Sequence, residues 1–247
     1  MLTGVPVIYG LDPQKTDTVA QHNLGSKGID ANGDTYRYAK ASEALVAGNL
    51  VCSQDVGTTQ VNLAVAAAAS VGDKEISITL GAAAVTANEY SEGYIVFNDV
   101  APEGRVVRIS SHPASSGSEA ITFKLAEPLP EAVTTSSEVT LVHNPWNDVQ
   151  TTTTQTSVVP AGFAMCDVAE DSYCWVKTRG IVAALADEDG TVGQQVTIGT
   201  STAGAVEARD DMTQSTDGNR FMLEPTVGYQ IVAMADGEFR PIYATID

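Results

Sequence analysis

Short stretches of strict alternation run through the middle of the chain. In Glu75-Ile76-Ser77-Ile78-Thr79-Leu80 and again in Ile121-Thr122-Phe123-Lys124-Leu125 every second side chain is apolar, so a strand there turns one face to a core and the other to water. Segments 94–97, 105–109, 139–142, 173–177, 180–184, 195–198, 229–233 and 242–246 are rich in β-branched or aromatic residues and are further strand candidates. Turn formers separate them: Asn32-Gly33, Glu103-Gly104, Asp189-Gly190, Asp217-Gly218 and Asp236-Gly237 tolerate the positive φ that tight hairpins demand. Strands and turns at this spacing predict an all-β protein of two small β-sandwich or β-barrel modules, with little helix.

Two segments read otherwise. The run Leu63-Ala64-Val65-Ala66-Ala67-Ala68-Ala69 has helix composition but neither the length nor the charged face of a stable amphipathic helix, and fits a small-residue strand equally. Ala41-Ser42-Glu43-Ala44-Leu45 is long enough for one helical turn, ended by Gly48. Boundaries fall in the polar link 55–60 and in the turn cluster His143-Asn144-Pro145-Trp146-Asn147, with Trp146 placed to staple the connector. The expected organisation is residues 1–60 as an extended N-terminal arm with the first strands, 61–145 as a middle β module free to project, and 146–247 as a C-terminal β module. Residues 1–28 are turn-rich and lack amphipathic periodicity, which suggests an arm that orders only on a partner and can be removed without unfolding the modules. No repeat relates the blocks in this reading.

Composition narrows the function. The 247 residues carry 13 Lys and Arg against 31 Asp and Glu, a formal net charge of −18. Such a surface repels phosphate backbones and anionic lipid, so neither nucleic acid nor membrane is expected as a partner. The hydrophobic content of 43% suffices for folded cores and argues against an acidic disordered tail. The opening residues Met1 to Pro6 show no basic cluster followed by an apolar run, and no window approaches a membrane span. Cys52, Cys166 and Cys174 are odd in number and lack C-x-x-C spacing, which suggests free thiols. Cys166 and Cys174 flank a turn and are close enough in sequence to face each other across a hairpin.

Candidate chemistry is thin. Asp30-Ala31-Asn32-Gly33-Asp34-Thr35 places oxygen side chains at alternate positions as a calcium loop does, but its glycine is fourth and its twelfth residue is Ala41, so the segment reads as a hairpin turn. The carboxylate clusters Asp187-Glu188-Asp189 and Asp210-Asp211 read as solvated loops. His22, His112 and His143 lack zinc spacing, and no G-x-S-x-G, P-loop or G-x-G-x-x-G is present. Trp175 reads as core within a strand. The sequence therefore nominates no catalytic, cofactor-binding or metal residue, and a non-enzymatic protein is expected.

The order of segments carries a resemblance. Leu24-Gly25-Ser26-Lys27-Gly28, then 34–41 and Leu45-Val46-Ala47-Gly48-Asn49-Leu50-Val51, is similar to the opening of small virion structural proteins of tailed bacteriophages. The middle segments Val71-Gly72-Asp73, 93–99, Glu103-Gly104-Arg105 and 109–113 resemble the same group. So do Tyr173 to Gly180, Val192 to Val196 and the closing Tyr243 to Asp247. The resemblance implies a capsid decoration or cement protein, made in the host cytoplasm and seated on the outer surface of the capsid. Its partners would be the major capsid protein and itself, as a homotrimer, and its role would be to stabilise the shell by bridging adjacent subunits. The alternatives are a host-surface module that binds glycan or protein, and a tail or connector protein.

Overall fold

The computed structural model describes residues 7–54, 59–155, 157–209 and 225–247. Among them the chain is all β, without a helix, and so no helix is long and apolar enough to cross a membrane. The chain divides into two units, Met1–Asp55 with Pro145–Asp247, and Val56–Asn144.

The first strands are β1 (Ile8–Tyr9), β2 (Lys27–Ile29), β3 (Thr35–Lys40) and β4 (Leu50–Cys52). Those of the inserted unit are β5 (Leu63–Ala64), β6 (Glu75–Thr79), β7 (Tyr94–Asp99), β8 (Val106–Ser111), β9 (Ala120–Leu125) and β10 (Glu138–Val142). The chain then returns with β11 (Pro160–Ala164), β12 (Tyr173–Leu185), β13 (Gln195–Ile198), β14 (Val206–Ala208), β15 (Gly228–Gln230) and β16 (Phe239–Thr245).

The inserted unit is a nearly closed barrel in the order β5-β10-β7-β8-β9-β6. A Val65–Ile78 bridge joins its two end strands. Alternation was a sound guide here because each strand has one buried face: Ile76 and Ile78 from β6, Ile95 and Phe97 from β7, and Ile121, Phe123 and Leu125 from β9 fill one core. The Ala-rich run is extended, with Leu63–Ala64 in β5 and Val65 and Ala69 in single bridges.

The other unit holds one sheet in the order β1-β2-β3-β12-β16-β15-β13-β14, with β11 pairing both β12 and β4. The first and last blocks, separate in the reading of the sequence, are here one unit. Strand β3 has β2 on one edge and β12 on the other, and a strand rich in buried residues needs both edges paired. The segments 173–177 and 180–184 merge into the single thirteen-residue β12, whose first half runs beside β3 and second half beside β16. A register shift within the β3–β12 pairing falls between Lys177 and Arg179, where the pairing with β16 begins.

The N-terminal lead is not a free arm. From Val7 it is irregular apart from β1, yet it docks on its own unit, because Ile8 and Leu11 find an apolar surface in the cluster Tyr36, Tyr38 and Trp175. Asp17 and Tyr173 exchange both backbone hydrogen bonds, at 2.9 and 2.7 Å, and the His22 ring stands edge-on to Tyr38 at 5.2 Å. Residues 41–45 are likewise not helical: Ala41 bridges Val149 and Leu45 bridges Val168.

A repeat runs through both units, although none was visible between the blocks in the sequence. Its unit is a bridge residue, a β-turn, and a buried residue six positions on, as in Leu45-Gly48-Val51, Val133-Ser136-Val139, Val168-Asp171-Cys174 and Gly190-Gly193-Val196. In each the turn closes through the same bond, Asn49 to Val46, Ser137 to Thr134, Ser172 to Ala169 and Gln194 to Thr191. The bridge residues meet partners of their own kind, Leu45 with Val168, Ala69 with Val133 and Gly190 with Met234, each pair exchanging two backbone hydrogen bonds. Gly48, Asp171 and Gly193 occupy a left-handed position in their turns, at φ 85°, 60° and 87°. This device satisfies backbone groups in loops that would otherwise be buried unpaired.

Candidate interaction surface

Several of the residues weighed as chemical candidates make contacts within the fold. Asp30 lies between β2 and β3 and its carboxylate is consumed locally: Oδ1 accepts from the N–H groups of Asn32 (2.9 Å) and Asp34 (3.0 Å), and Oδ2 from the Tyr36 hydroxyl (3.1 Å). The segment is the expected hairpin. Asp34 instead receives the Lys177 ammonium at 2.6 Å, and Lys177 donates also to the Ile181 carbonyl at 3.1 Å. Asp187 organises the 200–202 loop through the Ser201 N–H at 2.6 Å, and Asp189 accepts from the Asp236 N–H. Asp210 and Asp211 lie outside the described residues. Among the described residues no three His, Cys, Asp or Glu side chains are gathered for a metal.

Burial opposes the charges of Asp30 and Asp187, but the hydrogen bonds they accept outweigh it and hold both carboxyls below the usual range. A depressed folded pKa stabilises the fold fully above the unfolded value, about 4, and less as pH falls through the folded one. Stability should therefore drop on acidification below about pH 4, and Asp187→Asn should flatten that decline. Urea midpoints measured between neutral and acid pH check this.

His112 is buried and fully used: its Nε2 accepts from the Tyr90 N–H at 2.9 Å, which leaves Nδ1–H to donate to the Pro113 carbonyl at 2.9 Å. The His143 ring stacks on Tyr90 at 4.0 Å. Trp175 is core, as read, beside Tyr38 at 5.1 Å. Trp146 donates to the Ala161 carbonyl and lies under the Arg37 guanidinium at 5.1 Å. It thus staples β3 to β11 within one unit rather than a connector between modules. All three thiols are free. Burial pushes Cys52 and Cys174 up to about 12, while Cys166 is half-buried. A thiol reagent is expected to modify Cys166 alone in the native protein and all three in denaturant, as counted by intact mass.

What the sequence did not nominate is a surface. On the outer face of the second half of β12, Ile181 is 59% exposed, and its cross-strand neighbours Tyr243 on β16 and Tyr229 on β15 are 38% and 42% exposed. These three side chains form an apolar ridge across adjacent strands. Two residues along β12, Ala183 belongs to an apolar hollow of about 290 Å³ lined also by Ala47, Gly48, Ala164, Met165 and Phe239. Gly48 leaves the hollow open, since a Cβ there would lie 2.6 Å from the Phe239 ring. Two residues the other way, exposed Arg179 hydrogen-bonds Tyr243. At the rim of the hollow the exposed Asp167 accepts from the Ala47 N–H at 3.0 Å.

A signal for this surface was present. In Gly180-Ile181-Val182-Ala183-Ala184-Leu185 and Pro241-Ile242-Tyr243-Ala244 apolar residues occupy both parities, the pattern of strands covered on both faces. Only Val182, Ala184, Ile242 and Ala244 are covered within the chain.

No protein-family model matches the chain. No curated protein matches it. Among solved structures it is similar to the head fiber gp8.5 N base of bacteriophage phi29, at 12% identity and a TM-score of 0.27, over 70% of this chain and 96% of that one.

Proposed function

We propose that the chain is a non-enzymatic structural protein of a tailed-bacteriophage virion, a decoration protein that sits on the outer surface of the head and ties neighbouring subunits of the major capsid protein together. The observation that carries this reading is where the virion-like segments lie. Residues 24–41 form the β2–β3 hairpin, 45–51 lead into β4, 173–180 open β12, 192–196 open β13, and 243–247 end β16. Strands β3 and β16 both flank β12, and Asp247 is held by two hydrogen bonds from Arg37 at 2.8 and 2.9 Å. The opening and closing segments of the pattern, far apart in sequence, thus meet in one sheet, while its middle segments 71–73, 93–99, 103–105 and 109–113 fall in the inserted barrel.

The charge supports the same reading. An excess of carboxylates lets many copies coat one particle while particles repel one another, and it offers nothing to a packaged genome. The inserted barrel has its own core, so its outer residues can vary without disturbing the sheet of the other unit. Three copies per assembly, as the resemblance implies, belong to this proposal.

The test is binding to shells. Shells assembled from the phage's major capsid protein, mixed with excess purified protein and run on a density gradient, should carry it to saturation at a fixed ratio to shell subunits. Failure to co-migrate, with binding to host cells instead, would replace this reading by the host-surface one.

A further inference from the structure

We infer that the outer face of β12, β16 and β15 is a self-association surface, on which the Ile181–Tyr243–Tyr229 ridge of one copy seats in the Ala183–Phe239–Gly48 hollow of a second copy of this chain. The inference is independent of the virion reading.

Three observations select a second copy as the occupant. The face carries both halves of a contact, a ridge and an apolar hollow two residues apart on one strand, so a copy of the chain supplies the complement of each. The charges match in the same sense. Arg179 stands at the ridge end, with no carboxylate among the described residues within ion-pairing distance of it, and the Asp167 carboxylate stands at the rim of the hollow. Seating the ridge in a neighbour's hollow brings Arg179 toward the neighbour's Asp167. Finally, molecules carrying 31 acidic against 13 basic residues repel one another over most of their surface. The Ile181, Tyr243 and Tyr229 ridge carries no acid.

The face is also prebuilt. Strands β12 and β16 are paired over seven consecutive positions, from Arg179–Thr245 to Leu185–Phe239, so the ridge is fixed before contact and little ordering opposes association. The Ile181 carbonyl, which accepts from Lys177, is backbone, so changing this side chain leaves that buried contact in place.

Sedimentation velocity of the full chain over a concentration series tests the inference, with tryptophan-monitored melting as the control for folding. The wild type should self-associate. Ile181→Asp should weaken association by about thirtyfold or more, the scale of a central contact residue. Arg179→Glu and Asp167→Arg should each weaken it by roughly tenfold, and their combination in one chain should restore it, because the pair is then reversed rather than broken. A wild type that stays monomeric at every concentration overturns the inference, whatever it does with shells. So does an oligomer indifferent to Ile181→Asp, or a double reversal no better than either single one.

Discussion

Removing residues 1–25 is expected to abolish the cooperative unfolding of the larger unit while leaving the barrel's transition in place. The deleted stretch contains Ile8 and Leu11, which cover Tyr36, Tyr38 and Trp175, and Asp17, whose backbone pairs with Tyr173. It also contains the polar partners of the buried Tyr38 hydroxyl, the Gln21 N–H at 3.1 Å and the Asp17 carboxylate at 3.3 Å. Each large ring returned to water forfeits about 1.5–3 kcal/mol, and three rings together approach the whole stability of an ordinary domain, about 5–15 kcal/mol. Both tryptophans, Trp146 and Trp175, lie in this unit, so their emission follows it alone, whereas far-ultraviolet circular dichroism follows both. The deletion should show red-shifted emission with no fluorescence transition, and a surviving dichroism transition from the barrel. An unchanged fluorescence melt would mean that the lead is a detachable arm after all.

The second large effect belongs to Asp34. Its carboxylate is the one acidic partner, among the described residues, of a Lys177 side chain that is only 7% exposed. Asp34→Ala leaves the ammonium with the Ile181 carbonyl and, at 5.2 Å, the Tyr36 ring. Removing one member of a buried ion pair costs about 3–5 kcal/mol, and the lower end applies because Asp34 itself is a quarter exposed. Lys177→Met added to Asp34→Ala should recover much of that loss, since no charge then remains buried. By contrast Asp171→Asn, which removes the charge of a far more exposed partner of Lys40 while keeping a side chain that tolerates the φ of 60° there, should cost about 0–1 kcal/mol. Urea unfolding followed by tryptophan emission ranks the variants. Equal losses for Asp34→Ala and Asp171→Asn would contradict the assignment.

The barrel was more legible in the sequence than the sheet, for a physical reason. Strands β6 and β9 bury one face and expose the other, which writes burial into period two. Strands β4 and β11, and the first half of β12, are buried on both sides, so Leu50-Val51-Cys52 and Pro160 to Ala164 carry no alternation to detect. The turn pairs were missed because a single bridge residue such as Leu45 or Val168 is too short for any period, though Leu45, Gly48 and Val51 recur in spacing as Val168, Asp171 and Cys174. Pairing of β3 with β12 joins Tyr38 to Trp175 across the inserted barrel, and no local pattern specifies so distant a register. The candidate surface was half legible: Ile181 and Tyr243 were placed on strands, but which parity faces outward depends on where the chain's own core lies.

The measurement that decides most is quantitative mass spectrometry of purified virions, with this chain counted against the major capsid protein. A decoration protein should be present near one copy per shell subunit, or at a large fixed fraction of that. A handful of copies per particle would put the chain at a tail or connector instead, and its absence from virions would contradict the virion reading altogether.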